Sequence, residues 1–161
     1  MELILASQSK YRRQLLEQLG LPFKSISPDI DEEQFKTKIS DPIQLCEKLA
    51  FEKALKIATD NPDAVTIGSD QLLKFGDEIL GKAHSLGKAA QQLKKLSGKT
   101  HQLITSVCVL QPSQKIKHVF TDITTLSMRA LSDKAITNYV EFDQPTDCAG
   151  SYKLESGGIA L

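Results

Sequence analysis

The sequence predicts an α/β domain, and three stretches carry that expectation. Leu3-Ile4-Leu5-Ala6 is a short apolar run with no polar break, as in a buried strand. Ser7-Gln8-Ser9 interrupts it; Leu15, Leu16 and Leu19 follow at helical spacing, and Gly20 stops that helix. Ala64-Val65-Thr66-Ile67-Gly68 is a second apolar strand, with Ser69-Asp70-Gln71 at its end. Between them lies a long helix. Asp41-Pro42 starts it, an N-cap residue followed by proline at the first helical position. The helix carries two adjacent apolar rows at i+4 steps, Leu45, Leu49, Lys53, Ile57 and Cys46, Ala50, Ala54, Ala58, and Lys53 is the only charge in either.

The rest of the chain follows the same alternation. Leu72-Leu73 continues extended, Gly76-Asp77 reads as a hairpin turn, and Ile79-Leu80 is the return strand. A helix starts at Ser85 with Leu86, Ala89, Ala90, Leu93 and Leu96 on one face, and Gly98 closes it. Leu103 to Leu110 and Lys115 to Leu126 read as two long strands joined near Pro112. Ser132 caps a short helix with Ile136, Tyr139 and Val140 inward, and Asp147 to Gly158 is loop-like. With no repeat, low-complexity tract or linker, 161 residues read as one domain.

Composition narrows the function. Lys+Arg and Asp+Glu are equal at 20 each, which argues against a general polyanion-binding protein but leaves room for a local basic pocket. Cys46, Cys108 and Cys148 share no CxxC spacing, so they give neither a disulfide framework nor a zinc site, and a reducing compartment follows. The first residues lack a basic leader and an apolar run of signal length, and no segment approaches a membrane span. The expected location is cytoplasmic.

Four features can carry chemistry. Ser7-Gln8-Ser9-Lys10-Tyr11-Arg12 places hydroxyls and an arginine where a strand hands over to a helix N-terminus, whose unpaired N–H groups suit phosphate. Read alone, Ser9 is equally an ordinary helix cap; the turn lacks the glycines of a P-loop. Lys53, inside an apolar stripe, either snorkels outward or meets an anion, and the same alternatives apply to Lys82 after Gly81. Asp70 follows directly on an apolar strand, at the sheet edge where α/β proteins place their sites. Asp31-Glu32-Glu33 offers carboxylates of the kind that hold a hard cation, or a solvated loop. His84, His101 and His118 have no metal-ligand spacing.

Together these residues resemble the Maf family of nucleoside triphosphate pyrophosphatases. The likeness is carried in order by Leu5-Ala6-Ser7-Gln8-Ser9 with Arg12, Asp31-Glu32, Glu52-Lys53-Ala54 and Ile67-Gly68-Ser69-Asp70-Gln71. It continues through Gly81-Lys82, Leu96-Ser97-Gly98-Lys99-Thr100-His101 and Ala149-Gly150-Ser151-Tyr152-Lys153-Leu154-Glu155. The resemblance implies an elongated, mixed, twisted sheet with flanking helices, a cleft between two lobes, and often a homodimer. Lys10 stands where the family usually has proline, and the family generally continues past the position of Leu161 with strand, loop and a final helix.

The resemblance also implies roles. Asp70 is expected to be the general base, with Lys53 and Lys82 also in the catalytic group. Glu32 and Asp70 are expected to hold a divalent metal, magnesium first, with manganese or cobalt as alternatives. Ser7, Ser9, Arg12, Lys53 and Lys82 are expected to hold a triphosphate. Tyr11, Gln71 and Glu155 match the branch acting on 7-methyl-GTP rather than the dTTP/UTP branch. An aromatic face and a carboxylate suit a methylated, positively charged guanine. The expected partner is thus a small nucleotide, not nucleic acid or a membrane. The rival readings are a pyrophosphatase for other nucleoside triphosphates, such as dTTP/UTP or ITP/XTP, and a non-catalytic regulator of septum formation.

Overall fold

A computed structural model describes residues 2–161. Six strands form one mixed sheet: β1 (Leu3–Ala6), β2 (Lys24–Ile26), β3 (Val65–Phe75), β4 (Glu78–Leu80), β5 (Thr100–Gln111) and β6 (Ile116–Ser127). Their order is β2-β1-β3-β5-β6, with β4 paired to β3 off that path. Strand β1 is parallel to both neighbours, with Leu5 opposite Ser25 on one side and Ile67 on the other. The helices are α1 (Lys10–Glu17), α2 (Glu33–Lys36), α3 (Pro42–Asp60), α4 (Leu86–Leu96) and α5 (Asp133–Asp143). The α/β class is therefore observed.

Helix ends follow local chemistry. The side chains of Ser9, Asp41, Ser85 and Ser132 each accept a backbone N–H in the first turn of α1, α3, α4 and α5. At Gly76 a positive φ of 60° makes the tight turn that brings Phe75 opposite Glu78 in the antiparallel pair. Two differences from the sequence reading stand out. Helix α1 stops at Glu17 rather than running to Gly20, and Leu15 on it and Leu19 beyond it are 64% and 63% exposed. Strand β2 and helix α2 have three and four residues, too few to show a period of either kind.

The chain gathers into two compact units. The first comprises residues up to Asp70 with Thr105–Asp122, and the second comprises Gln71–Ile104 with Ile123–Leu161. In the first unit, Ile4, Ala6, Ile57 and Ala64 form one apolar cluster, and Ala50, Ala54, Ala58, Cys108 and Leu110 form another. All eight residues of the two α3 rows are buried, Lys53 included. In the second unit, Leu93 and Leu96 of α4 pack with Ile136, Tyr139 and Val140 of α5 and with Leu73 and Leu103. No helix among the described residues is long and apolar enough to cross a membrane.

Candidate active site

The first unit assembles its charged residues at the end of β1 and in the middle of β3. The handover from β1 to α1 is closed by its own hydroxyls. Ser9 N–H donates to Ser7 Oγ at 3.1 Å, and Arg12 N–H donates to Ser9 Oγ at 3.4 Å. Ser7 is 6% exposed. This turn fixes the first turn of α1 and brings Arg12 Nη2 to 3.8 Å from Asp70 Oδ1.

Lys53 arrives from the other side. Its Nζ lies 2.5 Å from Asp70 Oδ1 and 2.8 Å from Glu32 Oε1. The lysine in the apolar stripe thus meets anions rather than snorkelling. Glu32, just before α2, is at the rim with its side chain 38% exposed, whereas that of Asp70 is 8% exposed. Lys36 also reaches Glu32, at 3.9 Å. Burial pushes the Asp70 carboxyl above its ordinary value, and Lys53 and Arg12 oppose that push without overcoming it.

Gly68 sets how closely α3 approaches β3. A Cβ at this position would lie 2.3 Å from the Ala50 carbonyl oxygen and 2.5 Å from the Ala54 nitrogen, both backbone atoms. Gly68 and Asp70 share one face of β3, because side chains alternate along a strand. The bare glycine and the small Ala50 and Ala54 let the helix backbone settle on the strand, so that Lys53 beside Ala54 reaches Asp70. The sequence signal for this was a glycine in the interior of a strand, which marks a close backbone approach.

Removing the ammonium leaves Asp70 buried beside a more distant guanidinium. Lys53→Ala is expected to cost about 2–3 kcal/mol of stability at neutral pH, toward the low side for a broken buried pair. The loss is limited because Arg12 stays 3.8 Å from Asp70. Urea unfolding measures it, and a loss below about 0.5 kcal/mol would mean that the pair does not stabilise the fold.

The remaining expected residues are distributed differently. Tyr11 is half-buried on α1, with Lys10 Nζ 5.0 Å from its ring centroid, so the ring face already accepts a cation. Gln71, Lys82 and Glu155 belong to the second unit and are all exposed. Lys82 makes a backbone bridge with Ala149. The structure therefore brings Ser7, Ser9, Arg12, Glu32, Lys53 and Asp70 together within one unit. It carries Gln71, Lys82 and Glu155 on the other.

Two carboxylates close enough to share one ammonium are also close enough to share a metal ion. Oxygen donors are what a hard cation takes, and magnesium is commonly held by one or two carboxylates with phosphate and water completing its shell. Among the described residues no cluster of three or more His, Cys, Asp or Glu forms.

A mixed α/β sheet thus carries a strand-to-helix turn bearing hydroxyls beside a group of two cations and two carboxylates, with Lys53 and Asp70 buried and Arg12 and Glu32 partly exposed. The chain belongs to the Maf family: it matches the family described as Maf-like protein over residues 2–161. It is 46% identical to a Bdellovibrio bacteriovorus protein named 7-methyl-GTP pyrophosphatase, covering 99% of this chain and 82% of that one. Proteins of the same name from Pseudomonas putida and Colwellia psychrerythraea are each 40% identical, over 99% of this chain and 82% and 78% of theirs.

Proposed function

We propose that this chain hydrolyses 7-methyl-GTP to 7-methyl-GMP and pyrophosphate. The observation that carries the chemistry is the Arg12–Asp70–Lys53–Glu32 group around the buried Lys53–Asp70 pair, and the relatives' shared name supports the substrate. In the proposed reaction, Asp70 takes a proton from a water whose oxygen attacks the α-phosphorus. The bond from that phosphorus to the bridging oxygen breaks, and pyrophosphate leaves with the electron pair. A carboxyl raised by burial is a better base than one at its ordinary value. Arg12 and Lys53 balance charge on the phosphate oxygens, and the hydroxyls of Ser7 and Ser9 orient them. Lys82 is assigned with them to holding the triphosphate.

Arg12, Lys53, Glu32 and Asp70 carry two positive and two negative charges, so their sum is zero. A triphosphate therefore needs positive charge brought with it. This supports a divalent metal held by Glu32 and Asp70. When bound, such an ion supplies charge neutralisation on phosphate and lowers the pKa of a bound water.

Tyr11, Gln71 and Glu155 are assigned to the base. Methylation at N7 leaves guanine positively charged; an aromatic face attracts it, and a carboxylate accepts from its N1–H and N2–H₂ while opposing the charge. Tyr11→Ala and Glu155→Gln are each expected to lower kcat/KM for 7-methyl-GTP about tenfold more than for GTP, from roughly 0.5–2 kcal/mol of cation recognition. Pyrophosphate release from a panel of 7-methyl-GTP, GTP, dTTP, UTP, ITP and XTP provides the measurement. Preference for dTTP or UTP, or equal losses on both guanine nucleotides, would remove the assignment. No release from any member would favour the non-catalytic reading.

A further inference from the structure

In the second unit, Lys82 and the segment Ala149–Lys153 are tied together by one side chain that the proposed reaction does not use. Gln92, half-buried on α4, donates from Nε2 to the Gly81 carbonyl at 3.1 Å. Its Oε1 accepts the Ser151 hydroxyl at 2.5 Å. Gly81 immediately precedes Lys82, whose backbone pairs with Ala149. The amide thus reaches the Lys82 strand end and the loop leading to Glu155 at once, with its donor and its acceptor each matched to the group it faces.

Ser151 has a φ of +61° and is fully buried. A non-glycine residue holds that left-handed conformation when its surroundings over-determine it. Those surroundings are visible on both flanks. Tyr152 OH is 2.8 Å from His101 Nε2, and Lys153 N–H donates to Tyr139 OH at 2.9 Å. On the other flank, a Cβ on Gly150 would lie 2.1 Å from Leu73 Cδ1, so the chain passes hard against the core there. Of these contacts, only that of Gln92 spans both the Gly81 carbonyl and the strained serine.

We infer that Gln92 is a positioning residue that fixes the backbone on which Lys82 is presented, by locking Gly81 and Ser151 to one amide. The inference rests on the reading of Lys82 as a phosphate-binding residue. Its consequence is energetic coupling: most of what Gln92 contributes to turnover runs through Lys82, and any part that runs through the loop to Glu155 appears as a change in the ratio of 7-methyl-GTP to GTP turnover, a ratio expected to stay unchanged.

The test is a double-mutant cycle on the full chain with 7-methyl-GTP, or with whichever panel nucleotide it hydrolyses fastest. Gln92→Met keeps the length of the side chain and removes both hydrogen bonds. It is expected to lower kcat/KM about tenfold, as a small misplacement of a charge-balancing group does. Ser151→Ala breaks the same link from the loop side without altering α4 and is expected to show the same loss. In the Lys82→Ala background, either substitution is expected to change kcat/KM by less than about twofold, because the group being positioned is gone. A general structural defect would instead carry its full factor into that background, and this additive result overturns the inference. So does wild-type kcat/KM in both Gln92→Met and Ser151→Ala. If Lys82→Ala itself turns over like wild type, the assignment of Lys82 fails and the inference fails with it; that outcome is read from a single variant before the cycle is closed. Should Gln92→Met not fold, Ser151→Ala alone completes the cycle.

Discussion

Asp70→Asn is expected to lower kcat by at least about 100-fold while leaving the fold intact, the scale of a lost general base. The substitution keeps the size of the side chain and removes its ability to take a proton from water. It also removes a charge that burial disfavours. Burial holds the native carboxyl above its unfolded value of 3.8, with Lys53 and Arg12 opposing. The folded state therefore binds that proton more tightly than the unfolded chain does. Stability from this group is full below pH 3.8 and is lost as pH rises through the native value. Asp70→Asn lacks that loss, and Lys53 keeps its pair with Glu32 at 2.8 Å, so its thermal midpoint at neutral pH is expected to stay within a few degrees of wild type. The activity of the wild type is expected to fall on the acid side at a pH above 3.8, as Asp70 takes up its proton. A variant that turns over within threefold of wild type, or an acid limb at or below 3.8, would remove Asp70 as the base.

Gly68→Val is expected to cost about 4 kcal/mol, above the usual range for overpacking a core. The reason is that the obstruction is backbone. The Ala50 carbonyl oxygen and Ala54 nitrogen stand at 2.3 Å and 2.5 Å from where a Cβ would lie, and neither can rotate away as a side chain could. Helix α3 must lift from β3, which opens the Ala50, Ala54, Ala58, Cys108 and Leu110 cluster. For a chain of this size the thermal midpoint is expected to drop by roughly 8–16 °C. The same lift moves Lys53 away from Asp70, so kcat should fall even where the variant remains folded. Scanning calorimetry and turnover well below the midpoint separate the two effects. A midpoint within about 3 °C of wild type would show that the helix can slide without cost, contrary to the close packing.

Much of this was legible in the chain because it is local. Capping chemistry at Ser9, Asp41, Ser85 and Ser132 depends on residues within one turn, and each cap is found where the sequence places it. The two α3 rows are a period of one helix, and every member is buried. The turn at Gly76-Asp77 needs a positive φ that glycine supplies. Where the signal was short, the reading failed: β2 and α2 are held by their neighbours, not by a pattern of their own.

The sequence by itself determined the alternation of strands and helices, the caps, and the buried stripe with a charge in it. It put Asp70 at the end of an apolar strand and at the sheet edge; in the structure β3 runs on to Phe75 between β1 and β5, so Asp70 stands at mid-strand inside the sheet. For Lys53 it left two outcomes, outward to water or inward to an anion, because a lysine in an apolar row is compatible with either. The tertiary structure chose between them. It places Asp70 and Glu32 within hydrogen-bond reach of the same ammonium, from segments seventeen and twenty-one positions away in the chain. It also ended α1 at Glu17, short of Gly20, and left Leu15 and Leu19 exposed. Burial and pairing are properties of where segments meet, and Coulomb attraction at 2.5 Å has no counterpart in sequence spacing. That is why Gly68, a glycine within a strand, hints in the chain only that some backbone comes close, and in the fold is the contact that admits Lys53 to Asp70.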